Sequence, residues 1–519
     1  MPNNSQDGDK SKMSDFHKFK SGSDIRGIAI GDGIVLSQDT VKRFGAAFTA
    51  FLAEKCALPA NRVSVAVGRD SRLSGPALLK AACEGITAAG AKAFDCGMCT
   101  TPSMYMAILE PGFTPTGSIM MTASHHPWNI NGMKFFTEAG GLGHDDIDRV
   151  IELASAMTAE DTQSATAAEI YPYIPLYRKH LETLIREGLG TDSKLPLAGL
   201  HVVVDAGNGA GGFYADMLQS LGASTDGSQF LEPDGKFPNH PPNPENAEAM
   251  DSLSMAVVKA KADLGVIFDA DCDRAAIVDA DGKEINRNRL IALISAILLQ
   301  KNPGATIVTD SVTSSGLAAF IQEHGGVHYR YKRGYRNVID EAKRLNEAGI
   351  DCPLAIETSG HAAMRENRFL DDGMYLVTYL IIRAMLLKRE NKSLSSIINS
   401  LREPLESAEY RLKILVPDFR KAGEAVIETV LEQAAYRSDC HIAPDNREGV
   451  RISFDLFNGT NNGWLLLRLS VHDPVMPLNV ESDEQGGNQV MLQALYDMLQ
   501  PHTALDLTVL KTALAKRGE

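Results

Sequence analysis

Three things are scarce in this chain of 519 residues: cysteine, net positive charge and long apolar runs. Seven cysteines, an odd number scattered over a long sequence, exclude a disulfide framework and read as reduced thiols. Cys96-Gly97-Met98-Cys99 has the spacing of a redox pair or half a zinc site, but no second C-x-x-C accompanies it. A glycine-containing turn with incidental thiols is the simpler reading. Acidic residues outnumber basic ones by 66 to 51, a formal net charge of −15, which argues against nucleic acid as a partner. A small anionic substrate is still allowed, provided a local cluster of Arg, Lys and backbone N–H groups holds it against the overall field. No apolar run approaches the roughly 20 residues of a membrane-spanning helix, so no membrane partner is expected. The polar stretch from residue 1 to 14 lacks the apolar centre of a signal peptide and reads as a disordered tail on a cytoplasmic protein.

What is present is a globular composition, 44% hydrophobic and 23% charged, in a chain too long for one core. Val41, Phe44, Phe48, Phe51 and Leu52 recur at helical spacing, followed by a buried strand from 63 to 67, a polar loop, a helix and a second strand from 92 to 95. The pattern of strand, polar loop, helix, glycine, strand returns from Leu200 and again from Ala305. Three such units imply three similar α/β domains with mixed, largely parallel sheets. The glycines of Asp205 to Gly211 do not form G-x-G-x-x-G, so that loop is a turn leading into a helix and not a dinucleotide site. Glu232 to Glu245 carries five prolines and is placed on the surface of the second domain. Beyond Glu409 the pattern becomes α+β, ending in a helix near 488 to 499. The expected bounds are 1–14 for the tail, then domains at 15–190, 191–287, 288–406 and 407–519.

Four stretches bear chemistry. Met121-Thr122-Ala123-Ser124-His125-His126-Pro127 follows a short strand and sets the Ser124 hydroxyl beside imidazoles that can serve as its base; the plain alternative is a polar turn. Asp269, Asp271 and Asp273 alternate after a buried strand, and three such carboxylates repel one another unless a hard cation such as Mg²⁺ lies between them. The alternative is an acidic surface turn. Glu357-Thr358-Ser359-Gly360-His361 offers acceptors and a donor suited to sugar hydroxyls, or else a helix N-cap at Thr358 or Ser359. Lys134, in Asn131-Gly132-Met133-Lys134, is either a functional ammonium or a surface lysine after a tight turn.

Taken in order, these stretches resemble the α-D-phosphohexomutases, the family of phosphoglucomutases and phosphomannomutases. The likeness begins at Ser23-Asp24-Ile25-Arg26-Gly27, runs through Val67-Gly68-Arg69-Asp70-Ser71-Arg72, and reaches Arg468-Leu469-Ser470. It implies three related α/β domains and a smaller α+β fourth around a central cleft. It also implies reversible phosphoryl transfer between O1 and O6 of an aldohexose phosphate, with Mg²⁺ and a hexose 1,6-bisphosphate intermediate. Glucose phosphates are favoured over mannose phosphates; a phosphomannomutase or dual-specificity enzyme is the alternative. A metal-dependent phosphatase and a non-catalytic sugar-phosphate-binding paralogue are the rivals from other classes. By resemblance Ser124 is the phosphoserine and joins Asp269, Asp271 and Asp273 at the metal. Arg26, Arg274 and Lys134 neutralise the phosphate, and either His125 or Lys134 is the general base. Glu357 and Ser359 hold the sugar hydroxyls with His361 nearby, and Lys332, in Lys332-Arg333-Gly334-Tyr335, belongs to a second specificity loop. Arg468, Ser470 and His472 hold the phosphate that is not transferred. The chain departs from the family at Val471-His472-Asp473, where Asn-Thr-Glu is usual, and at His125-His126, where His-Asn is common. The first departure bears on substrate choice and not on the phosphoserine chemistry. Oligomeric state is not legible.

Overall fold

The computed structural model describes residues 16–158, 162, 166–470 and 473–515; the expected tail at 1–14 and His472 lie outside the described residues. The chain divides into two compact units, Met1–Glu284 with Leu370–Asn391, and Ile285–Phe369 with Lys392–Glu519. No helix among the described residues is long and apolar enough to cross a membrane.

In the first unit a mixed sheet is built on the strand Ser64–Arg69, which pairs in parallel with Lys92–Met98 and with Gly117–Met121. Gly117–Met121 continues antiparallel to Ile130–Thr137, which pairs antiparallel with Asp24–Ile28. The helix Gln38–Cys56 starts at Ser37, whose side chain accepts from the Thr40 amide, and buries the predicted Val41, Phe44, Phe48, Phe51 and Leu52. A second sheet sets Val202–Asp205 parallel to Leu264–Phe268, which folds back antiparallel to Ala275–Asp279. Residues 269–274 are therefore a hairpin turn. The three aspartates converge because the chain reverses, with the Cys272 amide donating to the Asp269 carbonyl and Cys272 at φ 65, not because an extended segment points them one way. The proline-rich stretch is only partly superficial, since His240 is buried against Asp205.

In the second unit Thr306–Asp310 lies between the parallel strands Val327–Tyr331 and Leu354–Ile356, and Leu354–Ile356 turns back antiparallel into Ala362–Met364. A separate antiparallel sheet contains Cys440–Ile442, Val450–Phe454, Gly463–Leu467, Val475–Ser482 and Glu406–Ile414 in that spatial order. Its central strand Val475–Ser482 escapes the sequence reading because Pro477 breaks the pattern of a strand interior. The helix Gly487–Leu499, expected to be the last element, is followed by Leu505–Asp506 and the helix Thr508–Ala515.

Candidate active site

Ser124 lies just past the strand Gly117–Met121 at φ 50, a left-handed conformation that costs a non-glycine residue and needs outside support. The support is Arg72, fully buried, whose guanidinium donates to four carbonyls of the loop: Ser124 at 2.5 Å, and His126, Pro127 and Ile130 at 2.7 Å. Asp70 in turn holds the Arg72 Nε at 3.2 Å and accepts from the Thr122 hydroxyl at 2.7 Å, while that hydroxyl accepts from the Ser124 amide at 2.9 Å. Gly132 lets the next strand pass close by, since a Cβ there would stand 2.4 Å from the Ile25 carbonyl and 2.7 Å from that of Thr122.

The Ser124 hydroxyl donates to Asp269 Oδ2 at 2.7 Å, accepts from an Arg274 terminal nitrogen at 3.2 Å, and lies 3.2 Å from His125 Nδ1. One oxygen from each of Asp269, Asp271 and Asp273 lies within 4.8 Å of the others, and all three residues are buried. Neither the polar turn nor the acidic surface turn describes these residues. Lys134 is buried as well, not a surface lysine: its ammonium lies 3.0 Å from Asp271 Oδ2 and bonds Asp273 Oδ2. Burial, and then the charges of Asp271 and Asp273, hold the Asp269 carboxyl well above the usual range. Burial acts the same way on Asp271, but Lys134 and the Thr101 hydroxyl outweigh it and hold that carboxyl low. Asp271 Oδ1 is buried with no hydrogen-bond partner among the described residues. An orphaned carboxylate oxygen beside two further carboxylates is costly, and a hard divalent cation would satisfy it. The residues present fit such an ion.

The two imidazoles differ. His125 faces the Ser124 hydroxyl, whereas His126 Nε2 lies 2.6 Å from Arg26. Arginine can only donate, so His126 accepts with a neutral ring. Burial together with Arg26, Arg72 and Arg274 pushes its pKa down to about 4. Arg26 is also bonded to Asp24 at 2.9 Å.

The sugar-loop candidates lie in the second unit. Glu357 and Ser359 occupy the turn between Leu354–Ile356 and Ala362–Met364, so the N-cap alternative fails. Glu357 accepts the Gly334 amide at 2.6 Å, Asp310 accepts the Thr358 amide at 3.3 Å and hydroxyl at 2.8 Å, and the His361 ring stacks on Tyr335. Burial and Asp310 push the Glu357 pKa up to about 7. Lys332 is exposed, Arg468 Nε is buried with no hydrogen-bond partner among the described residues, and the Ser470 hydroxyl accepts the Asp473 amide at 3.2 Å.

The chain matches the family description "Phosphoglucomutase/phosphomannomutase, alpha/beta/alpha domain I" over residues 17–162, with domain II over 177–282 and domain III over 286–405. It is 30% identical over 466 residues to the phosphoglucomutase of Neisseria gonorrhoeae, covering 89% of this chain and 92% of that protein. The chain belongs to the phosphoglucomutase/phosphomannomutase family.

A phosphomannomutase/phosphoglucomutase from Pseudomonas aeruginosa is 31% identical over 467 residues, 89% of this chain and 91% of the relative. A crystal structure of a family protein from Burkholderia thailandensis superposes with a TM-score of 0.75 at 27% identity, covering 95% of this chain and 98% of that one. The expected three α/β domains and a fourth with an antiparallel sheet are those of a phosphohexomutase, a phosphotransferase of the mutase type, and its buried acidic cluster can hold a metal ion. Sequence reasoning gave no role to Asp70, Arg72, Thr122 or Thr101. An Asp-x-Arg pair directly after an apolar strand was the available signal for the first two. Thr101, which bonds Asp271 Oδ2 at 2.5 Å from the helix Thr101–Leu109, left none. Cys96 and Cys99 are buried free thiols with pKa values raised chiefly by burial, Cys99 to about 12, so the C-x-x-C is inert. His324 and His328 serve packing: His324 bonds the Phe320 carbonyl and His328 the Thr309 hydroxyl.

Proposed function

We propose that this phosphohexomutase interconverts the 1- and 6-phosphates of an aldohexose, glucose ahead of mannose, through phosphorylated Ser124 and a hexose 1,6-bisphosphate. Dual specificity is the alternative, and the relatives named for one or both sugars support either reading. The observation that carries the proposal is Ser124 Oγ bonded at once to Asp269 and Arg274, beside an orphaned oxygen of Asp271. Asp269, Asp271 and Asp273, with an oxygen of the phosphoserine, would hold Mg²⁺, which supplies charge neutralisation to the transferring group. Arg274, donating to the Ser124 hydroxyl, is placed to take the same phosphate's charge, and Lys134 and Arg26 add to it. Lys134 is clasped as an ammonium by two carboxylates, so His125, 3.2 Å from the serine oxygen, is the better-placed base in this arrangement. Glu357, Ser359 and Lys332 would grip the sugar phosphate, His361 would lie beside it, and Arg468, Ser470 and His472 would hold the other phosphate.

Domain bounds at 15–190, 191–287, 288–406 and 407–519 fit the matched spans. A reducing, cytoplasmic setting fits the seven free cysteines. The direct test is an isomerisation assay with glucose 1-phosphate and mannose 1-phosphate side by side, with hexose bisphosphate supplied. Interconversion without accumulation of free phosphate is the expected result, and steady phosphate release without isomerisation would make the protein a phosphatase instead.

A further inference from the structure

The loop that carries Lys332 is held by two carboxylates from different sheets. Its Gly334 amide donates to Glu357 Oε1 at 2.6 Å, and its Arg333 amide donates to Glu448 Oε1 at 3.2 Å. Glu357 belongs to the sugar-loop hairpin. Glu448 instead precedes the strand Val450–Phe454 of the antiparallel sheet, and the same Oε1 also accepts from the Ser311 hydroxyl. The turn that aims Glu448 requires glycine next to it: Gly449 has φ 55, and a Cβ there would stand 2.2 Å from the Leu467 carbonyl.

Glu448 is itself fixed from below. Arg451, buried, stacks 3.7 Å from the centre of the Trp464 ring and donates to the Ser311 carbonyl at 2.8 Å and that of Thr313 at 3.2 Å. Arg330 donates to the Ser314 carbonyl at 2.8 Å and bonds Asp445. Val312 packs with Trp464 and Leu466. The segment from Ser311 to Ser314 is thus a rigid platform, and it directly follows Asp310, which takes both the amide and the hydroxyl of Thr358 in the sugar loop.

We infer that Glu448 is a positioning residue for the Lys332–Tyr335 loop, by which the antiparallel domain sets the affinity of that loop for the sugar phosphate. The inference rests on the reading of Lys332 as a substrate contact. Glu448 needs no contact with ligand for this. It fixes the peptide that carries Lys332, so the ordering of an exposed lysine is done before binding and not at its expense. An ordinary docking staple between the two sheets would lack this dependence.

A double-mutant cycle on the full-length enzyme separates the two, with glucose 1-phosphate as substrate and glucose 1,6-bisphosphate supplied. Glu448→Ala is expected to raise KM about fivefold to tenfold with kcat within about twofold, as for the net loss of one hydrogen bond. Glu448→Gln, which keeps an acceptor for the Arg333 amide, should return KM close to the parent value. In the Lys332→Ala background Glu448→Ala should add less than about twofold, because the group it positions is gone. Full additivity, or a lowered Tm with unchanged KM in Glu448→Ala and Glu448→Gln alike, would reduce Glu448 to a staple and overturn the proposal. A Lys332→Ala enzyme with unaltered KM would instead overturn the reading of the loop, and the proposal with it.

Discussion

In the first unit the Arg72 guanidinium donates to four loop carbonyls and the Lys134 ammonium is clasped by two carboxylates; in the second, Lys332 is exposed and Arg468 Nε is buried without a partner among the described residues. The contrast extends to the acids. In the first unit burial raises Asp269, but Lys134 and Thr101 outweigh it at Asp271 and hold that carboxyl low; in the second Glu357 and Glu481 are both pushed up to about 7, by burial first. The difference follows from two kinds of work. Phosphoryl transfer gains from dipoles and charges fixed before the reaction, so the serine site is wired to its own protein. On the proposed reading, recognition of a sugar phosphate needs donors that still lack partners, and the exposed Lys332 and the Arg468 Nε would supply them.

The harshest way to break this comparison is at the triad. Asp271→Asn should lower kcat by two or more orders of magnitude with KM changed far less, read by steady-state kinetics across a Mg²⁺ titration. A change confined to KM would mean that the acidic cluster is not a catalytic metal site. Next is Arg72→Met, which leaves Asp70 buried without its partner and four carbonyls short of a donor. A stability loss of about 3 to 5 kcal/mol is expected in urea unfolding, with activity lost even where the protein remains folded.

Glu481 sharpens the other side. Burial raises its pKa from 4.5 to about 7, against Arg451 and the Trp464 N–H. Since the folded state holds the extra proton between these values, stability is greatest below the lower one and falls as pH rises through the higher. Glu481→Gln should therefore be more stable than the parent at pH 8 by on the order of 1 to 3 kcal/mol, with the gap closing towards pH 5. Emission of the buried Trp464, read in a Trp128→Phe background, follows this unit alone, because these are the two tryptophans of the chain. A gap that does not change with pH would refute the assignment. The smallest effect is at Lys332. Lys332→Ala should raise KM for glucose 1-phosphate about tenfold at nearly constant kcat, a change of about 1.4 kcal/mol in binding.

The same contrast explains what the sequence could and could not show. Apolar strands before Ser124, Asp269 and Glu357 are visible as runs of residues, so the placing of those side chains at strand ends follows from pattern alone. The alternation of the three aspartates does not reveal how they converge, because alternation along an extended chain and closure of a hairpin give the same spacing in one dimension. Long-range partnerships are not written locally: the Asp70-x-Arg72 pair is visible in the sequence, but not the carbonyls more than fifty residues away on which Arg72 acts, and Thr101, which meets Asp271 across 170 positions, leaves no trace. Pro477 conceals a central strand, because a proline's missing N–H is harmful only where a ladder bond is needed, and sequence does not say where that is.

In the first unit Asp269, Arg274 and His125 all meet the Ser124 hydroxyl oxygen. Incubation of the enzyme with glucose 1,6-bisphosphate, followed by peptide mass mapping, should place a single phosphate on the segment from Thr122 to Lys134, at Ser124, and Ser124→Ala should carry none and show no turnover. Phosphate on another residue, or full activity in Ser124→Ala, would contradict the account.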